Sequence, residues 1–134
     1  MKQTTKRALL LISSLILTFI ILRVSLLISP NSNFDVGQYN IHHLFTGILV
    51  LTIAIVPLLL TECKTKLSDA LIVMFGIGLS MVLDEWVYLI ATDGSDASYL
   101  TPVSLWGGII VIGLTSIYIG AIWLFTRRCQ KDDT

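Results

Sequence analysis

The sequence is short of charge. Only 13% of its 134 residues are Asp, Glu, Lys or Arg, whereas 54% are hydrophobic and the mean hydropathy is +0.83. A soluble domain has about 25% charged residues, because water must wet its surface. The deficit excludes an ordinary soluble fold and predicts an integral membrane protein, with the lipid bilayer as its main partner.

Other absences narrow the range of functions. The nine basic and nine acidic residues cancel, so the chain carries no net charge. Without a basic surplus there is no general attraction for the phosphates of nucleic acid, and no nucleic-acid partner is expected. The sequence contains no nucleophile elbow, phosphate-binding loop or CxxC pair. Whether the protein is an enzyme is therefore left open.

Four apolar runs each approach the roughly 20 residues that a helix needs to cross the hydrocarbon layer of a bilayer. They cover residues 8–28, 41–60, 70–90 and 103–125. Because the connections between them are short and polar, consecutive helices should be antiparallel neighbours. The sequence predicts a single domain, residues 1–134, that is an all-α membrane protein folded as an antiparallel bundle of four transmembrane helices.

Three polar residues suit the N-cap position, where a side-chain oxygen accepts a hydrogen bond from the first helical turn. They are Asn40 for the second helix, Ser68 for the third and Thr101 for the fourth. Pro102 suits the first position of the fourth helix, because that position has no use for a backbone N–H donor.

Basic residues predict the orientation of the chain. All but one lie at one set of helix ends, as Lys2, Lys6, Arg7, Lys64, Lys66, Arg127, Arg128 and Lys131. The other two connections, residues 29–40 and 91–102, contain neither Lys nor Arg. The positive-inside bias therefore predicts a multi-pass protein of the cell membrane with both termini in the cytoplasm. Cys63 and Cys129 then lie on the side where thiols stay reduced, so no structural disulfide is expected.

The ionisable residues embedded in the predicted spans share one depth. Arg23 lies about five residues, or roughly 7–8 Å, from the outer end of the first helix. Asp84 and Glu85 lie at nearly the same depth in the third helix, and His42 and His43 open the second helix on that side. Charges inside a bilayer are costly and usually pair or face a wet cavity. We therefore expect these residues to form one polar site in the outer leaflet.

Arg23 is the natural partner for one of the two acids. Neighbouring residues on a helix point about 100° apart, so Asp84 and Glu85 cannot face the same spot equally. Gly76, Ser80 and Asp84 recur every four residues and form a stripe that directs Asp84 into the bundle. Glu85 then faces a neighbouring helix, where Arg23 could meet it. The opposite assignment, in which Glu85 points into the bundle and Asp84 meets Arg23, also stays open.

Three hypotheses for the site remain open. The first is a divalent metal or ion site, including one within a membrane enzyme, since imidazole and carboxylate suit zinc, iron or manganese. Its ligands would be His42, His43, Asp84 and Glu85. The second is a proton or ion relay in a small transporter or channel. The third is a polar lock that fixes helix packing in a non-catalytic bundle, which assembles with copies of itself or with other membrane proteins.

The segments NIHHLFTGILVL, GIGLSMVLDEWVYL and DASYLTPVSLWGGII carry a resemblance. The chain resembles small, mostly uncharacterised prokaryotic integral membrane proteins that pair an HHxxxG segment with a GxGL…LDE helix. The matching positions are His42, His43, Gly47, Gly76, Gly78, Leu79, Asp84, Glu85 and Tyr99. The match spans roughly residues 40–112, and it departs from the pattern at Trp86 and Leu100. The resemblance implies a compact bundle in the cytoplasmic membrane whose HH and DE pairs belong to one site, and it implies no activity.

Overall fold

The computed structural model describes residues 3–28, 35–36, 39–40, 42–61 and 66–132. Its long helices are α1 (Gln3–Ile28), α2 (His43–Leu60), α3 (Lys66–Ala91) and α5 (Pro102–Asp132), and a short helix, α4 (Asp96–Tyr99), precedes α5. Between α1 and α2, strands β1 (Asp35–Val36) and β2 (Tyr39–Asn40) form an antiparallel pair. The predicted positions Lys2, Cys63 and Lys64 lie outside the described residues.

The four long helices are each long and apolar enough to cross a membrane. This confirms the predicted fold class, a bundle of four membrane-spanning helices. The ends at Ile28 and Leu60 agree with the prediction, but α1 begins at Gln3 and α5 continues to Asp132. Hydropathy marks only the part of a helix that fits the hydrocarbon layer, so polar turns beyond that layer were not predicted.

Helix α3 is the centre of the bundle. It packs against α1, α2 and α5. Helix α1 also packs against α5, whereas α2 packs chiefly against α3. Accordingly, 39% of the most apolar stretch of α3 is buried, against 11–17% for the other three helices. Helix α2 is therefore joined to the rest of the bundle mainly through α3.

An apolar cluster joins α1, α3 and α5. Leu15 and Phe19 of α1 pack with Ile112 of α5, and Leu79 and Leu83 of α3 lie against them. Lipid tails are as apolar as these side chains, so such a cluster contributes close van der Waals packing and no separate hydrophobic driving force. Polar contacts are correspondingly important for fixing which faces of the helices meet.

Helix α2 approaches α3 through two glycines whose backbones touch. A Cβ atom placed on Gly47 would lie 2.8 Å from the carbonyl oxygen of Gly78. A Cβ atom placed on Gly78 would lie 2.8 Å from the carbonyl oxygen of Gly47 and 2.9 Å from the backbone nitrogen of Leu51. Only glycine permits this approach, because backbone atoms cannot move aside as a flexible side chain can.

Two of the three predicted N-caps are wrong. Asn40 lies in β2 and does not adjoin α2, and Ser68 lies inside α3, where its hydroxyl accepts a hydrogen bond from Arg7 Nη2 at 3.0 Å. For the third, α5 does begin at Pro102, directly after Thr101, but the Thr101 hydroxyl donates a hydrogen bond of 2.6 Å to the Ser98 carbonyl oxygen. A polar residue near a helix start is a sound N-cap only where no other group satisfies the first turn.

One end of the bundle, called here the basic end, carries Lys6, Arg7, Lys66 and Arg127. Lys6 forms an ion pair with Asp69. The indole Nε1 of Trp123 donates a hydrogen bond of 3.3 Å to Thr5 Oγ1, which ties α5 to α1. The guanidinium of Arg127 lies 5.0 Å from the centre of the Trp123 ring. These contacts hold α1 to α3 and α5 at the end opposite the predicted polar site.

Replacing Gly78 by Ala should destabilise the bundle by about 1–3 kcal/mol, because the added methyl group would push α2 away from α3. Gly113→Ala is the matched control, since nothing lies within 4 Å of a Cβ atom at that position. Thermal unfolding in detergent measures both variants. Equal unfolding temperatures for the two would contradict the close contact between α2 and α3.

Candidate functional site

All five side chains predicted from the sequence meet at the end of the bundle opposite the basic end. This polar end contains Arg23 from α1, Asp84 and Glu85 from α3, and His43 at the start of α2, with His42 just before it. Asp84 and Glu85 are buried, whereas the two imidazoles are partly exposed. The common depth read from the sequence thus corresponds to direct contact.

Arg23 pairs with Asp84. Its Nε donates to Asp84 Oδ1 at 2.8 Å, and its Nη2 lies 2.5 Å from the same oxygen. The favoured prediction that Arg23 meets Glu85 is therefore wrong, whereas Asp84 does point into the bundle as predicted. Asp84 lies on the side of α3 that faces α1, while Glu85, about 100° around the helix, faces α2.

The remaining donors of Arg23 bind α5 and the end of α4. Nη1 donates to the carbonyl oxygen of Tyr99 and to Ser104 Oγ, both at 3.2 Å. Nη2 donates to the carbonyl and hydroxyl oxygens of Ser104, also at 3.2 Å. The guanidinium also lies 4.5 Å from the centre of the Tyr99 ring. A buried charge is tolerated when its donors are satisfied in this way.

Glu85 caps α2 from the neighbouring helix. Its Oε2 accepts a hydrogen bond of 2.6 Å from the backbone N–H of Leu44, in the first turn of α2. His42 occupies the N-cap position but makes no side-chain capping bond. The negative carboxylate also lies where the dipole of α2 favours an anion. This tertiary cap explains why the local candidate, Asn40, is not used.

His43 lies between the two acids and faces one with each ring nitrogen. Its Nδ1 lies 3.1 Å from Glu85 Oε1, and its Nε2 lies 3.4 Å from Asp84 Oδ2. The hydroxyl of Tyr99 is 3.1 Å from the same Nε2 and donates to Asp84 Oδ2. His42 Nδ1 lies 3.2 Å from Glu85 Oε1. Both imidazoles therefore converge on one oxygen of Glu85.

The two histidine side chains are more exposed than the two carboxylates. The side chains of His42 and His43 are 25% and 24% exposed, whereas those of Asp84 and Glu85 are 0% and 4% exposed. A proton or an ion arriving from the polar end would meet the imidazoles first. The carboxylates lie deeper than the imidazoles.

Tyr88 of α3 and Tyr99 of α4 pack against each other beside the site. Their rings form an edge-to-face pair with centres 4.8 Å apart, and the Tyr99 ring makes a similar contact with His43 at 5.6 Å. Such pairs fix ring orientation as well as excluding water. The sequence signalled Tyr99 only through the resemblance, and it gave no role for the hydroxyl group.

The turn before α4 is held by Asp93. The hydroxyl of Ser98 donates to Asp93 Oδ1, and the backbone N–H and hydroxyl of Ser95 donate to the same oxygen at 3.1 and 2.8 Å. These donors, Ser98 first, lower the pKa of Asp93 from 3.8 to about 2. The carboxylate is therefore ionised throughout the neutral range, and the turn that carries Tyr99 keeps its bonds there.

Gly108 lets α5 approach the ion pair. A Cβ atom at this position would lie 2.8 Å from Phe19 Cε2 and 3.1 Å from Asp84 Oδ1. Gly108 and Ser104 were not predicted from the sequence as part of the site. Two small residues four positions apart mark a face where helices approach closely, and this spacing could have predicted the contact of α5 with the site.

The structure gives no direct support to a metal centre. Among the described residues, no group of three or more His, Cys, Asp or Glu side chains is placed to hold a metal ion. The imidazole nitrogens instead lie at hydrogen-bond distance from carboxylate oxygens, and a metal ion would have to displace those contacts. The metal hypothesis stays a prediction from the sequence.

The comparisons with known proteins leave the family open. A scan against protein-family models found no match, and searches of curated proteins and of solved structures found none either. The resemblance carried by the HHxxxG and LDE segments therefore stays a prediction. The function has to be argued from the chemistry of the polar end.

Replacing Arg23 by Met should destabilise the protein by about 3–5 kcal/mol, because Asp84 would remain buried without its cation. Lys6→Met is the matched control. Its ion pair with Asp69 has side chains that are 47% and 28% exposed, and such a pair contributes about 0–1 kcal/mol. Denaturant unfolding in micelles at neutral pH compares the two, and similar losses would contradict the importance assigned to Arg23.

Replacing Asp93 by Ala should speed hydrogen exchange at the amide of Ser95 roughly three- to tenfold, because that N–H loses its acceptor. A carboxyl pKa lowered to about 2 means that the contact is complete above pH 4 and is lost as the pH falls through 2. Exchange measured by NMR should follow this profile in the wild type. Exchange at Ser95 that is already fast at pH 6 would argue against the turn.

Proposed function

We propose that this protein is a small transporter or channel that moves protons across the cell membrane, and that it binds one proton at its polar end. The supporting observation is the position of His43, whose two ring nitrogens each face a carboxylate oxygen. A neutral imidazole carries a hydrogen on one nitrogen only, so it can donate to one acid and not to both.

The contacts of His43 favour one proton more than neutral histidines provide. Tyr99 has one hydroxyl hydrogen, which it donates to Asp84. Nε2 of His43 then donates to an oxygen beside it, and an ion pair between Nδ1 and Glu85 Oε1, which lie 3.1 Å apart, would need a second hydrogen on the ring or on the carboxyl group. In the proposed loaded state, the added proton lies on the imidazole or on Glu85.

The charge count leads to the same conclusion. Arg23 contributes one positive charge, and Asp84 and Glu85 contribute two negative charges to a largely buried site. One added proton makes the site neutral, whereas the site without it carries an uncompensated negative charge, which is unfavourable at low dielectric. Tyr88, His42 and Tyr99 are the other titratable groups that border it.

A site built only to lock the helices would not need an exposed histidine. Arg23 and the Leu44 N–H already hold Asp84 and Glu85 with donor groups that stay protonated at neutral pH. The imidazoles add donor groups of the kind that can gain and lose a proton, and each is about one quarter exposed at the polar end. Histidine is the side chain suited to taking up and releasing a proton near neutrality.

The basic residues support the proposed orientation. Lys6, Arg7, Lys66 and Arg127 lie at the end opposite the polar site, and this distribution favours a cytoplasmic basic end. The polar end then faces outward, and the imidazoles take up protons from the outer aqueous phase.

Glu85→Gln should decrease proton flux about tenfold or more. The glutamine amide can donate a hydrogen bond to His43, so the extra proton is no longer needed. Flux is measured in proteoliposomes that contain a pH-sensitive dye, under an imposed membrane potential. Asp69→Asn is the matched control, since it neutralises an acid at the basic end. Equal flux in wild type and Glu85→Gln would refute the proposal.

The same purified protein distinguishes the two rival hypotheses. Protein purified without a histidine tag should contain no stoichiometric metal. One added proton should be present in wild type and absent in Glu85→Gln, and it is detected either on the ring nitrogens by ¹⁵N NMR or on the Glu85 carboxyl group by its infrared C=O stretching band. Bound metal that disappears in His43→Ala and Asp84→Ala would favour a metal site instead. Absence of both metal and flux, with Asp84→Ala losing only heat stability, would favour the polar lock.

A further inference from the structure

Ser80 is a buried polar residue that the site described above does not use. Its side chain has no exposed surface, and its hydroxyl has no hydrogen-bond partner within the described part of the chain. Other hydroxyls in the long helices donate to the carbonyl group four residues earlier, as in Ser25, Thr52, Ser116 and Thr126. The Ser80 hydroxyl makes no such bond and is available for a different partner.

Ser80 lies one helical turn from Asp84, on the side toward the basic end. Side chains four residues apart on a helix have Cβ atoms about 5–6 Å apart. A single water molecule, with hydrogen bonds of about 2.8 Å on each side, spans that distance. One turn further along α3, the hydroxyl of Ser14 from α1 lies against Gly76, at a point where a Cβ atom would collide with it. This hydroxyl donates to the Leu11 carbonyl oxygen at 3.0 Å, so Ser80 is the one of the two whose hydroxyl has no partner within the described residues.

We propose that Ser80 binds a water molecule that also hydrogen-bonds to Asp84, and that this water carries protons one turn deeper into the membrane. This inference rests on the proposed function and extends the same site by one helical turn toward the basic end. Water and hydroxyl each accept one hydrogen bond and donate another. A proton arriving on one side of such a pair is matched by one leaving on the other, so neither group changes its net charge after a complete transfer.

The water site makes a prediction about stability that does not depend on transport. If Ser80 holds a water on Asp84, Ser80→Ala removes two hydrogen bonds and should lower the unfolding temperature by about 3–6 °C. If the hydroxyl is truly without a partner, removing it should raise the unfolding temperature. Ser116→Ala is the control, because that hydroxyl is bonded to the Ile112 carbonyl and lies away from the polar end.

Infrared difference spectra provide a second measurement. A water O–H stretching band that shifts in H₂¹⁸O should be present in wild type and in Ser116→Ala, and absent in Ser80→Ala. The same band in Ser80→Ala, or an unfolding temperature equal to or above that of wild type, would overturn the water site.

Proton flux tests the second half of the inference. Ser80→Ala should decrease flux about tenfold while the ring-nitrogen NMR spectrum of His43 stays as in wild type, because the outer half of the site is untouched. Unchanged flux would overturn the role of this water in transfer and leave the proposed function standing. If wild type itself shows no flux, the proposed function fails, and the unfolding temperature still decides whether the water is bound.

Discussion

The structure depends on two adjacent acids on the central helix. Asp84 and Glu85 point about 100° apart, and that angle directs one toward α1 and α5 and the other toward α2. Asp84 holds Arg23, while Glu85 holds the first turn of α2. Because α2 packs chiefly against α3, these two carboxylates connect elements that otherwise have little contact with each other. Two adjacent acids on one apolar helix therefore bind partners on both sides of that helix at the same depth.

Lipid explains why polar contacts have this importance. Helices in a bilayer gain little from burying one apolar face against another, so close packing and hydrogen bonds specify their register. The glycines of α2 and α3 permit the close packing, and the acids fix the height at which it occurs. An ion pair inside a membrane is weak evidence of net stability, because desolvation offsets most of the attraction. Its clearer effect is to exclude every arrangement in which Arg23 or Asp84 would face lipid.

The depth of the site residues along their helices could be predicted from the sequence, but the rotation of each helix about its own axis could not. Counting residues from the helix ends placed Arg23, the histidines and the acids at one level, and the structure brings them into contact. The partner of Arg23 was predicted wrongly, since small changes in helix rotation decide which of two neighbouring acids faces α1. Backbone groups were also missed, among them the Leu44 N–H and the Ser104 carbonyl. Every residue has these groups, so no sequence pattern marks them.

The site combines a permanent positive charge with two imidazoles. Arginine stays protonated at all physiological pH values, so Arg23 neutralises one acid whatever the state of the other groups. In the proposed function, the second acid is balanced when His43 or Glu85 itself carries the added proton, and the imidazoles that would accept it are partly exposed. An arginine in place of His43 would balance the second acid permanently and leave no proton to take up or release. A histidine in place of Arg23 would make the balance of both acids depend on pH. The observed combination binds Asp84 permanently, and under the proposal it leaves Glu85 to respond to a single proton.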